Sequence, residues 1–350
     1  MNRMKKLNTF FVLFFVFCSG ITFADGYKVL YLGNSYVYTN DLPLQVEKMA
    51  ESTGDNLIYE SNSPGGCFFS GHTQNGTSIS LIQQGEWDYV VLQGQSQEPS
   101  FPDVQFYSQT YPYAQQLCQM VSTYNPRSHA VFFMTWGRKD GDAINCLNFP
   151  PLCTYEGMDS LLYLRYMIMG EDFGAWVSPV GALWHYLRDN HPEINLYSSD
   201  GSHPNEFGTY VAACCFYTIF FQKNPTAITY NSNLSSEQAQ IIKDAAKTVV
   251  YDNLSLWMNP HVSTSIVDYK PKNDFTVLIQ PNPVEEELSI VSDNSISEIV
   301  IYSIDGKEIY RKIIGSNEEI INVSNLKSAI YIISISDKQQ NMVYRKFFKK

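Results

Sequence analysis

Beyond residue 24 the chain has no apolar run long enough to cross a bilayer. The densest stretch, CCFYTIFF at 214–221, is short and reads as a buried helix. Cationic groups are also scarce. The 24 Lys and Arg residues stand against 35 Asp and Glu, a net charge of −11 over 350 residues. That balance is a poor match to nucleic acid or to an anionic membrane surface. It gives no support to a strongly anionic substrate either. The six histidines do not cluster, and no Cys/His spacing matches a zinc site, so neither a metal nor a cofactor is expected.

What the chain does have begins with a leader. MNRMKKLNTFFVLFFVFCSGITFA is a basic start, an apolar core and a small-residue end. Thr22 and Ala24 occupy the positions expected before a cleavage site at Asp25, so residues 1–24 read as a signal peptide. Cys18 follows Phe17, which argues against a lipoprotein site. Cleavage would remove Arg3, Lys5 and Lys6 and no acid, leaving the mature chain more acidic still. In an oxidising compartment some of Cys67, Cys118, Cys146, Cys153, Cys214 and Cys215 can pair. Cys146 with Cys153 is the expected disulfide, by proximity. Cys214 and Cys215 point to different faces of one helix and read as core.

Two short segments carry chemistry. KVLYLG reads as a buried strand, and Gly33-Asn34-Ser35 follows it as a sharp turn. LPLQVEKMAES, at 42–52, has Leu42, Leu44, Val46 and Met49 on helical spacing, with Asp41 as a candidate N-cap. Ser35 therefore belongs to a strand-to-helix crossover, where open α/β sheets bind ligands. The second segment, SSDGSHPNEFG, places Asp200 and His203 three apart ahead of an apolar helix. A serine hydroxyl needs a base within hydrogen-bond reach; His203 is the candidate base, and Asp200 the group that would orient its ring. The competing structural role for Asp200 and Ser202 is to cap a helix beginning near Pro204.

With these residues the chain resembles the SGNH (GDSL-like) serine hydrolases over about residues 27–222. That family's first block matches Gly33, Asn34 and Ser35, and its last block matches Asp200 and His203. Its second block supplies a backbone glycine, for which SNSPGGCFF offers Gly65 or Gly66. Its third block usually carries an asparagine. Here Gln93-Gly94-Gln95-Ser96-Gln97 stands there instead, closer to the Gln-Gly-Glu-Ser segment of sialate and xylan acetylesterases. The resemblance implies a three-layer, flavodoxin-like α/β fold with a central parallel sheet. It also implies catalytic Ser35, Asp200 and His203, and an oxyanion hole of the Ser35 and Gly66 amides with Gln93 or Gln95.

Between the blocks VVLQ and AVFFMTWG read as buried parallel strands, and 107–124, 159–173 and 181–191 as helices. The irregular stretch after Trp136 reads as a substrate-facing loop. Trp136, Tyr155 and Trp184 are candidates for a sugar or acyl pocket, against the commoner role of packing. His185 and His191 read as helix-surface or helix-end residues.

Composition shifts after residue 258. Residues 259–274 read as a linker between an α/β domain at 25–258 and a small all-β sandwich at 275–350. Six short β runs occupy the latter, and Asp305-Gly306 is a hairpin signal between two of them. Pro281-Asn282-Pro283, Ile304 to Lys307, Ile330-Tyr331-Ile332 and the basic end Lys346–Lys350 resemble the C-terminal sorting domain of type IX secretion cargo, with Ala329 where a glycine is common. That resemblance implies an outer-membrane secretion machinery as partner, and a secreted or cell-surface protein exported through a Gram-negative periplasm. The leading expectation is a secreted esterase that removes acyl groups, above all acetyl, from a glycan. The other is a catalytically inactive surface glycan-binding protein on the same scaffold.

Overall fold

The computed structural model describes residues 26–260, 276–303, 308–327, 329–338 and 342–349. The leader, most of the 259–274 linker and the Asp305-Gly306 turn lie outside the described residues. Two separate hydrophobic cores are present, one drawn from residues 29–257 and one from residues 277–347. No helix among the described residues is long and apolar enough to cross a membrane.

The first core surrounds a five-stranded parallel sheet of β1 (Tyr27–Leu32), β2 (Leu57–Asn62), β3 (Tyr89–Leu92), β4 (His129–Phe133) and β5 (Trp176–Ser178). The order β2-β1-β3-β4-β5 is the doubly wound, flavodoxin-like one. Strand β3 is buried at every residue, as a parallel strand covered on both faces must be. The sequence reading missed β2 and β5. The first is a half-exposed edge strand ending in polar residues, and the second is three residues long.

The Glu206–Phe221 helix is buried along nearly its whole length. Its Phe216 packs 5.7 Å from Tyr31 and its Phe220 4.7 Å from Tyr89, ring centre to ring centre. That docking onto β1 and β3 fixes where the preceding turn, with His203, comes to rest. Asn205 caps the helix, its side chain accepting from the Gly208 amide at 3.1 Å. Asp200 and Ser202 therefore do not cap it. The Leu42–Ser52 helix forms as its periodicity predicts. Asp41 at its start adopts a left-handed backbone (φ 54°) and makes no side-chain capping bond, which corrects that expectation.

The second core lies between two antiparallel sheets. β6 (Val277–Gln280), β7 (Glu287–Ser292) and β10 (Glu318–Asn322) form one, in the order β10-β7-β6. β8 (Ile296–Ser303), β9 (Glu308–Ile313), β11 (Ala329–Asp337) and β12 (Met342–Lys349) form the other, in the order β12-β11-β8-β9. Alternate residues such as Leu288, Ile290, Ile299, Ile301, Ile333 and Ile335 fill the space between. Strand β10 was not expected from sequence: its two glutamates and Asn322 mask a short edge strand.

Candidate active site

Ser35 sits at the carboxyl end of β1, beside the switch point where the chain passes from one side of β1 to the other. The turn that carries it is held from below. The Asn34 amide donates to Gln93 Oε1 at 2.9 Å, and Asn34 Nδ2 donates to the Cys67 carbonyl at 3.0 Å. A Cβ on Gly33 would lie 2.5 Å from Val37 Cγ2 and 2.6 Å from Gln93 Oε1, so only glycine fits there. The buried His72 Nε2 donates to the Gly33 carbonyl at 2.9 Å, and its Nδ1 accepts from Ser78 Oγ at 2.8 Å. Burial pushes the proton affinity of this ring down, against a smaller upward pull from the Gly33 carbonyl. His72 is a support that sequence reasoning passed over.

Ser35 Oγ lies 2.8 Å from His203 Nε2, and His203 Nδ1 lies 2.5 Å from Asp200 Oδ2. A carboxylate only accepts, so Nδ1 carries the proton and the Nε2 lone pair faces the serine hydroxyl. Asp200 Oδ1 accepts from the Ser202 and His203 amides at 2.9 and 3.0 Å. Slight burial works against the Asp200 charge. The His203 bond and these two amides outweigh it and hold the carboxyl below its usual range.

The turn bearing His203 rests on a stack of aromatic rings. Tyr36 lies on Trp136 at 4.5 Å and Trp136 on Trp184 at 3.9 Å, all nearly parallel. Such pairs contribute about 0.5–1.5 kcal/mol each beyond their burial. Tyr36 Oη is 2.7 Å from Ser202 Oγ, and Trp136 Nε1 donates to the Ser202 carbonyl at 3.1 Å. Trp136, Trp184 and Tyr155 are buried and do not line the cavity, so the pocket role considered for them is corrected to packing.

A cavity of about 220 Å³ opens over Ser35. Loops at the carboxyl ends of four strands wall it: Asn34 to Tyr36 after β1, Gly66 after β2, Gln95 and Ser96 after β3, and Arg138 after β4. Ser202 and His203 close the remaining side. No Leu, Ile, Val or Met lines it. The Ser35 and Gly66 amides have no protein partner among the described residues, and Gly66 holds φ at +67°. Gln93 is fully buried, with its carboxamide spent on the Asn34 amide and the Gly94 carbonyl. It does not reach the cavity, and its candidacy as an oxyanion donor is withdrawn. Gln95 is at the wall, with Nε2 3.2 Å from Ser96 Oγ.

Beneath Gln95 lies Glu98, whose Oε2 accepts from the Phe69 and Gln95 amides at 3.2 and 3.1 Å. Burial pushes its carboxyl up to about 7, against the pull of those two amides. Its other oxygen is buried without a partner among the described residues. Arg138 donates to Asp142 Oδ1 at 3.1 Å and to Gln97 Oε1, which fixes the guanidinium at the cavity wall. It lies in the stretch expected to face substrate. Sequence reasoning did not name it; a charged side chain just past a parallel strand is the signal that could have found it.

His185 is buried rather than on a helix surface. Its Nδ1 is 2.8 Å from Asp159 Oδ2 and its Nε2 3.4 Å from Asp189 Oδ2. His191 does stand at a helix end, near Glu193. Cys146 and Cys153 are joined as a disulfide, and Cys214 and Cys215 are free and buried. Among the described residues no three His, Cys, Asp or Glu side chains converge as a metal site.

Residues 278–350 match the family described as the secretion system C-terminal sorting domain. Among curated proteins none matches the chain. Solved structures do. A DUF4886 family protein from Bacteroides uniformis is 17% identical with a TM-score of 0.54, over 69% of this chain and 99% of its own. A candidate SGNH hydrolase from Slackia heliotrinireducens is 23% identical with a TM-score of 0.46, over 55% of this chain and 98% of its own. A candidate GDSL-like lipase from Parabacteroides merdae is 13% identical with a TM-score of 0.41, over 57% and 96%. The first of these shows a shared fold.

Proposed function

We propose that this chain is a secreted serine hydrolase of the SGNH type that cleaves carboxylic esters, with O-acetyl groups on a glycan as its substrate. The observation that carries the reading is the unbroken chain from Asp200 through His203 to Ser35, with bonds of 2.5 and 2.8 Å. In this reading Ser35 Oγ attacks the ester carbonyl carbon as His203 Nε2 takes its proton. The oxyanion accepts from the Ser35 and Gly66 amides, with Gln95 as the neighbouring side chain able to add a donor. Collapse breaks the bond to the alcohol, which leaves with the proton from His203. Water then attacks the acyl-serine by the same route and releases the acid.

The lining of the cavity, without branched aliphatic side chains, supports a short acyl group on a hydroxyl-rich alcohol, since a fatty chain needs apolar walls. The match at 278–350 supports export, with the type IX machinery as partner, passage through the periplasm and a final place at the cell surface or outside. The boundaries proposed are a leader at 1–24, the hydrolase at 25–258, a linker at 259–274 and the sorting domain at 275–350.

The test is hydrolysis of 4-nitrophenyl acetate and acetylated xylan by the wild type and Ser35→Ala. Turnover lost in the variant supports the esterase. Equal background rates, with no labelling of Ser35 by a fluorophosphonate, would leave the glycan-binding reading, which the buried Gln93 favours.

A further inference from the structure

Four consecutive residues after β4 connect the cavity to the turn that bears His203. Trp136 Nε1 donates to the Ser202 carbonyl at 3.1 Å, and the Lys139 amide donates to the Gly201 carbonyl at 2.8 Å. Between them Arg138 lines the cavity. Gly137 is the residue by which this segment is pinned. Its amide donates to Asp159 Oδ1 at 3.3 Å, and its carbonyl accepts from Tyr197 Oη at 2.7 Å. A Cβ on Gly137 would sit 2.8 Å from the Tyr155 carbonyl, so the close approach requires glycine.

The pins are themselves fixed. Asp159 Oδ2 accepts from His185 Nδ1 at 2.8 Å, and both side chains are more than nine-tenths buried. Arg188 lies 3.7 Å over the Tyr155 ring and donates to Tyr197 Oη at 3.2 Å and to the Lys139 carbonyl at 3.4 Å. Burial opposes a proton on His185. The Asp159 bond, with the charges of Asp159, Asp189 and Glu156, outweighs burial and raises the ring above its ordinary value. A buried ion pair is weak as a source of stability, because desolvation cancels most of the attraction. This pair nonetheless sits where a backbone amide beside the cavity needs a fixed acceptor.

We propose that the Asp159–His185 pair, together with Tyr197, is a positioning device for the Ser35–His203 reaction. It locks Gly137–Lys139 against Gly201–Ser202, and so holds His203 at hydrogen-bond distance from Ser35 and Arg138 at the cavity wall. The proposal rests on the serine-hydrolase reading above. None of these residues touches the reacting atoms; they act through the backbone of the segment between them. A small displacement at a reacting centre costs up to about 10²-fold in rate, which sets the scale of the expected effect.

The experiment uses the full chain and three variants: His185→Leu, His185→Asn and Tyr197→Phe. The readouts are the second-order rate of Ser35 labelling by a fluorophosphonate, kcat and KM for 4-nitrophenyl acetate, and the thermal unfolding midpoint. His185→Leu should lower both the labelling rate and kcat about tenfold or more, with KM within about twofold. Asparagine places a donor where Nδ1 stood, so His185→Asn should recover most of the loss. Tyr197→Phe, which keeps the ring, should cost about threefold. Folded variants that label and turn over at the wild-type rate would overturn the proposal and leave the pair a structural one. If His185→Leu fails to fold, Tyr197→Phe decides alone. A wild type that does not label at all would overturn the serine-hydrolase reading instead, and this proposal with it.

Discussion

His72 and Gly33 are joined by a single hydrogen bond of 2.9 Å, from an imidazole Nε2 to the carbonyl two residues ahead of Ser35. The ring is fully buried and is held at its other nitrogen by Ser78, which in turn accepts from Asn62 Nδ2 at 2.8 Å. Replacing His72 by Leu strips the Gly33 carbonyl of this partner. The expected outcome is a loss of about 1–3 kcal/mol in stability and about tenfold in kcat, with KM little changed. Denaturant unfolding and steady-state kinetics on one preparation check both halves.

Asp200→Asn keeps the size of the side chain but allows an N–H to face His203 Nδ1, which favours the wrong tautomer. A fall of about 10⁴-fold in kcat is expected, with the circular dichroism spectrum unchanged. A loss of less than tenfold would show that Asp200 serves the turn and not the ring.

Glu98 links stability to pH. Its folded carboxyl is raised to about 7, while an unfolded glutamate titrates near 4.3. Below both values the two states bind the proton equally, and nothing is lost. As pH rises through that window the unfolded chain gives up its proton first, so stability falls, and above about 7 the loss is complete. The full span is on the order of 3 kcal/mol. Glu98→Gln should remove this loss. Melting curves of the two proteins should converge near pH 4 and separate toward pH 8, with the variant the more stable. Parallel curves across that range would sink the assignment.

Arg138 touches the cavity but not the Ser35–His203 bond. Lysine keeps the charge and loses the planar fork that engages Asp142 and Gln97 together. Arg138→Lys should raise KM for acetylated xylan about fivefold or more and leave 4-nitrophenyl acetate within about twofold. Equal changes on both substrates would place Arg138 in the support of the turn.

The central parallel strands were legible in buried runs such as VVLQ and AVFF, because a strand covered on both faces has to be apolar throughout; the flavodoxin-like order came from the family resemblance, and the sandwich from the six short β runs that follow the linker. Edge strands β2, β5 and β10 did not show themselves, since half-exposed residues need not alternate cleanly. The meeting of Ser35, His203 and Asp200 was legible because an acyl-transfer site would demand those residue types in short, characteristic turns. Gln93 was misread for a physical reason. A carboxamide in a loop has two ends to satisfy, and sequence does not say whether the cavity or the backbone claims them. His185 was misread likewise, because the helix it lies on carries both Asp189 and Arg188 and so looked like a solvent face. His72 gave no signal, for its partner is a main-chain carbonyl 39 positions away.

Ser35 and His203 are separated by 168 positions in the chain. Nothing short of the docked Glu206–Phe221 helix brings them together, so the proposed nucleophile and its base share no local segment that can fold alone. In a nascent or unfolded passenger Ser35 is an ordinary alcohol, inert toward every ester it meets. On the serine-hydrolase reading, reactivity therefore arrives only when the Glu206–Phe221 helix docks, and a chain cut before that helix would be chemically silent.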